Sequence, residues 1–138
     1  MPPGKIALDI TILSDVNEIE RVVELVQREC VAADMSPPKC ALNVRVAVTE
    51  ALSNAILRGN RMNGQRVRIR AAVRQDAFVV DVVDEGAGFD LEASTVDPTT
   101  PENLEREDGR GLFLMRSLMD QVERFQSNGN VVRMTLRR

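Results

Sequence analysis

Residues 48–60 read VTEALSNAILRGN and overlap a stretch, 44–57, that is apolar nearly all round except for Arg45, Thr49, Glu50, Ser53 and Asn54. A helix with apolar residues on almost every side belongs in the middle of a layer, so a buried central helix is expected here, ending near Leu57 at Gly59. Glu50 and Asn54 stand four residues apart and share one face of it. Burying even a neutral polar group costs roughly 2–7 kcal/mol without a compensating bond, and a carboxylate costs more. A polar pair on such a helix therefore points to a cleft or a partner. Taken alone, the simpler reading is a helix edge facing water. The chemical reading makes Asn54 an oxygen ligand for Mg²⁺, which takes few protein oxygens together with phosphates. Glu50, one turn away, becomes a general base for a hydroxyl.

Upstream, Ile6, Leu8, Ile10 and Ile12 alternate with Asp9 and Thr11, the pattern of a half-buried strand. Ser14 or Asp15 can cap the next element, where Val16, Ile19, Val23, Val26 and Cys30 recur at helical spacing to about residue 34. Ser36-Pro37-Pro38 then opens the central helix, its prolines near the first turn where a missing N–H is harmless. Downstream, Val67, Ile69, Ala71 and Val73 alternate with Arg66, Arg68 and Arg70. A turn at Gln75-Asp76 leads into Phe78, Val80 and Val82, so residues 66–84 read as a hairpin. Residues 91–108 are polar, acidic and proline-interrupted, a long loop of the kind usually kept for function. Leu112, Met115, Leu118 and Met119 form a short helix, and residues 122–125 and 131–136 a closing hairpin turning at Ser127-Asn128-Gly129. This order predicts an α+β two-layer sandwich with three helices on one face of a mixed, mostly antiparallel five-stranded sheet.

Two glycine motifs follow the polar pair. Asp84-Glu-Gly86-Ala-Gly88-Phe-Asp90 leaves directly from a strand. An acid at a strand end can accept a hydrogen bond from a purine amine, and the glycines let backbone approach a flat base without Cβ interference. An ordinary acidic turn is the plainer alternative. Asp108-Gly109-Arg110-Gly111 opens the third helix, where free N–H groups and the positive dipole end suit an anion. A flexible loop end would look the same. Together, in this order, the pieces describe an ATP site with neither a P-loop nor a Rossmann glycine signature.

The chain has 138 residues, 43% apolar and 28% charged, enough for one domain over residues 1–138. A net charge of −3 and a pI near 5.1 argue against a nucleic-acid surface. No uninterrupted apolar run approaches the ~18 residues of a membrane span, so a cytoplasmic protein is expected. There is no histidine, which excludes a Ser-His-Asp triad or a phospho-accepting histidine within this chain. Cys30 and Cys40 lie ten residues apart without a CxxC pattern and read as reduced, partly buried thiols.

Residues 48–60, VVDEGAGFD at 82–90 and GRGLFLMRSLMDQVE at 109–123 resemble the three nucleotide boxes of the bacterial anti-sigma-factor serine/threonine kinases. These belong to the GHKL, or histidine-kinase-like, ATPases, and the resemblance spans about residues 6–137. It implies a histidine-kinase-like ATPase fold that binds ATP and Mg²⁺, with Glu50 as catalytic base, Asn54 as Mg²⁺ ligand and Asp84 as adenine-amine acceptor. It further implies that Gly86 and Gly88 line the base, that residues 91–108 form an ATP lid, and that Gly109, Arg110, Gly111 and Leu112 hold the phosphates. The implied activity is phosphorylation of a STAS-domain anti-anti-sigma partner, together with binding of a sigma factor, in a homodimer. The alternative is a nucleotide-binding regulatory module that sequesters its partner without phosphotransfer. Three departures stand out. Arg58-Gly59-Asn60 replaces the His-Gly-Asn of many relatives, Gly129-Asn130 replaces a Gly-Thr whose threonine lies close to the adenine, and Phe113 replaces a third glycine.

Overall fold

Strand alternation builds the sheet. β1 runs Lys5–Leu13 and pairs with β2, Arg66–Val73, which turns at Gln75-Asp76 into β3, Ala77–Asp84. The Arg74 N–H donates to the Ala77 carbonyl at 2.8 Å to close that turn. β4, Gln121–Gln126, and β5, Asn130–Arg137, form the second hairpin, with Asn128 and Gly129 at φ 52° and 127° in the left-handed region that such turns use. β5 lies against β3, giving the order β1-β2-β3-β5-β4. The computed structural model describes residues 2–60, 65–86 and 107–138, with the backbone alone for 107–110. Within these residues every strand pairing is antiparallel, so the sheet is not mixed.

The apolar face expected from Ile6 to Ile12 begins instead at Leu8. Ile6 pairs with Ala72 and Leu8 with Ala71, so Ala7 is an extra residue. The bulge puts Ile6 on the face opposite Leu8, Ile10 and Ile12.

Asp15 caps a short 3-10 turn, Val16–Glu18, its carboxylate accepting from the Asn17 N–H at 2.9 Å. The turn runs into α1, Ile19–Ala32. Val16 sits in the turn and is exposed; the stripe that meets the core is Val22, Val23, Val26 and Cys30. The end of α1 is closed by Asp34 at φ 60°, with the Asp34 and Met35 N–H groups donating to the Val31 and Cys30 carbonyls at 3.0 and 3.3 Å.

The central helix, α2, runs Lys39–Gly59. Its middle, Arg45–Asn54, is α-helical, while Lys39–Val44 and Ala55–Gly59 are widened π turns. At 21 residues it is long and apolar enough by length and composition to cross a membrane, which a count of uninterrupted apolar residues did not reveal. Here its Val44, Ala47, Val48, Ala51, Leu52, Ala55 and Ile56 are buried in the core. The third helix, α3, runs Glu107–Leu118, so the expected lid segment gives up its last two residues to a helix. The rest of that segment, with Gly88 and Asp90, lies outside the described residues.

α1 and α3 flank α2 on the sheet face that carries Ile69, Phe78, Val80, Val82 and Met134. Phe78 and Leu52 are wholly buried, each side chain contributing about 1.5–3 kcal/mol. Cys30 and Cys40 are completely buried free thiols with their sulfurs 2.7 Å apart, tying the end of α1 to the start of α2. Burial pushes the Cys30 thiol far above its ordinary range. The opposite sheet face carries a row of alternating charge through all five strands: Asp9, Arg70, Asp81, Arg133 and Glu123 stand opposite one another in register. Arg133 grips Asp81 with two bonds of 2.9 Å, and Arg68 grips Asp9 likewise at 2.8 and 2.7 Å.

Candidate active site

α2 holds Glu50 and Asn54 half-buried one turn apart, as their spacing predicts. No group among the described residues bonds to either side chain, although each could accept. The neighbouring Thr49 hydroxyl, by contrast, spends itself on the Arg45 carbonyl at 2.7 Å. Across from the pair lies Gly111 of α3. A Cβ there would sit 3.1 Å from both Asn54 Nδ2 and Glu50 Oε2. Glycine keeps a gap open between the start of α3 and the polar pair, so the first and third sequence motifs meet. Leu112 turns its side chain into the core.

The π turn at Ala55–Gly59 carries the chain from Asn54 to Asp84. It closes with the Asn60 N–H donating to the Ala55 carbonyl at 2.8 Å. Gly59 then lies against the Asp84 carboxyl, where any Cβ would collide with it. A Cβ on Gly86 would collide with the Gly59 carbonyl. Both positions require glycine because two backbones and a carboxylate share one small space. Glu50 and Gly59 are nine residues apart, on the order of 13 Å along a helix. The acidic strand end and the Glu50–Asn54–Gly111 cluster thus lie at two ends of one helical segment.

Asp84 is 4% exposed and on the helix-covered face of β3. Its Oδ1 accepts from the Gly86 N–H and from the Asn130 amide, both at 2.9 Å. Burial raises its pKa above the ordinary 3.8, against the opposing effects of the Asn130 bond, the Gly86 N–H and the charge of Arg124.

Sequence reasoning noted two residues only as parts of departures from the family pattern and assigned neither a role. Asn60 is buried and bonds in three directions: its amide donates to Ser14 Oγ at 2.7 Å and to the Arg66 carbonyl at 2.8 Å, and its oxygen accepts from the Glu85 N–H at 2.8 Å. It thereby ties the ends of β1, β2 and β3 to α2. A polar residue directly after a helix-ending glycine was the available signal, and it resembles any loop residue. The second is Asn130, whose partner is 46 positions away in sequence. Arg58 is exposed. Gly109 and Arg110 lie in the first turn of α3, and Gly88 is outside the described residues.

The residues present fit a magnesium nucleotide. Two uncommitted oxygen-bearing side chains stand on one helix face, beside a helix N-terminus whose first four N–H groups have no partner within the helix.

Residues 12–136 match the histidine kinase-like ATPase domain family, and the chain belongs to that family. Within it, the similarity is to anti-sigma factors and serine-protein kinases. The anti-sigma F factor of Clostridium beijerinckii is 32% identical over 111 residues, covering 77% of this chain and 76% of that protein. The serine-protein kinase RsbW of Bacillus subtilis is 38% identical over 100 residues, and that of Bacillus velezensis 36% over 99. In both cases 67% of this chain matches 62% of the relative, so the chain spans under two thirds of those kinases' length.

Proposed function

We propose that this chain is an ATP-dependent protein serine/threonine kinase of the anti-sigma type. Its substrate would be a serine or threonine hydroxyl on a STAS-domain anti-anti-sigma protein, and it would also hold a sigma factor. The observation that carries the reading is the meeting of Gly111 with Glu50 and Asn54, with Asp84 at the far end of the same helix.

In this reading Asp84 accepts from the adenine amine, and Gly59, Gly86 and Gly88 leave room for the base. The first-turn N–H groups of α3, around Gly109 and Arg110, face the phosphates, and Asn54 offers its amide oxygen to Mg²⁺. The metal neutralises phosphate charge when bound. Glu50 orients the incoming hydroxyl and takes its proton as the oxygen–phosphorus bond forms and ADP leaves with the bond to the γ-phosphorus broken. That Glu50 and Asn54 are both present and uncommitted favours transfer over the sequestering alternative. Residues 1–138 would serve as one ATPase domain, with 91–108 as its lid, in a cytoplasmic homodimer without nucleic-acid or membrane partners. Exposed Leu13 and Val16, at the corner between β1 and α1, are apolar surface that a second copy would cover.

The test is Mg-ATP titration calorimetry alongside transfer of labelled phosphate to a purified STAS-domain partner. Wild type should bind and transfer, and Asn54→Ala should lose both. Binding and transfer unchanged in Asn54→Ala would contradict the assigned metal ligand.

A further inference from the structure

Asn130 opens β5 directly opposite Asp84, and it is 2% exposed. Its Nδ2 donates to Asp84 Oδ1 and to the Gly86 carbonyl, both at 2.9 Å, while its Oδ1 accepts from Gln126 Nε2 at 3.3 Å. The amide has one sensible orientation, because the flipped form would set its oxygen against two acceptors. Both donors are therefore spent inside the protein, and a base bound at Asp84 would find none left on Asn130. Asp84 Oδ1 in turn receives two N–H groups, from Gly86 and Asn130. Oδ2 has no hydrogen-bond donor among the described residues and faces the space that Gly59 leaves open.

Resting on the adenine-site reading above, we propose that Asn130 is a positioning residue for base recognition. By occupying Oδ1 and the Gly86 carbonyl, it orients the Asp84 carboxylate so that Oδ2 alone accepts from the exocyclic amine of the purine. It acts through Asp84 and does not touch the base. A single acceptor held in one direction selects a 6-amino purine over a 6-oxo purine, whose oxygen would meet it acceptor to acceptor. The Asn130 donor also favours the ionised carboxylate, which offsets part of the penalty of burial.

The experiment compares wild type, Asn130→Ala and Asn130→Ser on the full chain, reading Mg-ATP and Mg-GTP affinity from pH 5 to 8.5 and the Asp84 carboxyl titration by carbon-detected NMR without nucleotide. In Asn130→Ala the Asp84 titration should move up by about one pH unit. ATP affinity should fall most at the acid end of the range, up to about tenfold below the raised Asp84 titration, with the gap to wild type narrowing as pH rises, and the preference for ATP over GTP should shrink. Asn130→Ser, which keeps a donor, should lie between the two; it carries the test if the alanine variant does not fold. An unmoved Asp84 titration, or ATP binding by the variants with wild-type affinity, pH profile and preference, overturns the role of Asn130 and leaves the ATP site standing. Wild type that binds no ATP removes both.

Discussion

Asp84 is buried, yet in the proposed role it accepts best from a purine amine when ionised. The fold meets this by giving Oδ1 two donors and placing Arg124 near enough to help. The sign of the remaining shift matters. Because burial still raises the pKa above 3.8, the neutral acid persists to higher pH than in an ordinary aspartate. ATP affinity should therefore fall as pH drops through that raised value and level off above it. The stability of the unliganded fold runs the other way, declining as pH rises from 3.8 through the raised value, since ionisation is penalised only in the folded state. Asp84→Asn keeps the shape but removes the charge-assisted bond, at a cost of about 1.5–3 kcal/mol, or roughly ten- to a hundredfold in affinity. Calorimetry across pH checks both statements: the variant should be weak and nearly pH-independent where wild type shows an acid limb. Wild-type affinity in the variant would put the base elsewhere.

At the scale of elements, the site depends on how α2 ends. A regular α-helix would carry the chain onward along its axis. The π turn at Ala55–Gly59 instead delivers Gly59 to Asp84 and Asn60 to three strand ends. Asn60→Ala would leave the Arg66 carbonyl and the Glu85 N–H without that partner, and should cost about 2–4 kcal/mol of folding stability. Denaturant melts read this directly, and a loss below about 0.5 kcal/mol would show that solvent replaces the clamp. Periodicity and turn signals located every strand and α-helix among the described residues, because apolar runs mark what the core covers. They did not reveal the π turns, since helical apolar spacing is hardly altered by one wider turn. They also misplaced Ile6, because a one-residue bulge leaves no mark in an alternating run that continues on both sides of it. Glu50, Asn54, Asp84 and the glycines were legible as local spacings. Asn60 and Asn130 act through partners distant in sequence and carry no local pattern.

For the molecule as a whole, the two faces of the sheet divide the work. One is covered by three helices and ends, at its edge, in Asp84 and Asn130 side by side. The other carries the row from Asp9 to Glu123, in which each charge stands opposite one of the other sign. Asp81 is nearly inaccessible, so its double bond to Arg133 is what makes a carboxylate tolerable there. The β3–β5 register that sets Asp81 against Arg133 also places Asp84 against Asn130. The layered arrangement sets α2 between α1 and α3 over the sheet, and the proposed function puts base recognition at one end of its C-terminal half and phosphate transfer at the other. In the proposed function that chemistry is transfer to a hydroxyl, with Glu50 as the base. The most direct measurement is single-turnover transfer of labelled phosphate from Mg-ATP to the STAS-domain partner, wild type against Glu50→Ala, with ATP affinity measured in parallel. A base adds about 10²–10⁴-fold, so Glu50→Ala should bind Mg-ATP nearly as well as wild type and transfer at least about a hundredfold more slowly. Equal transfer rates for the two proteins, or no transfer by wild type to any cognate partner, would contradict it.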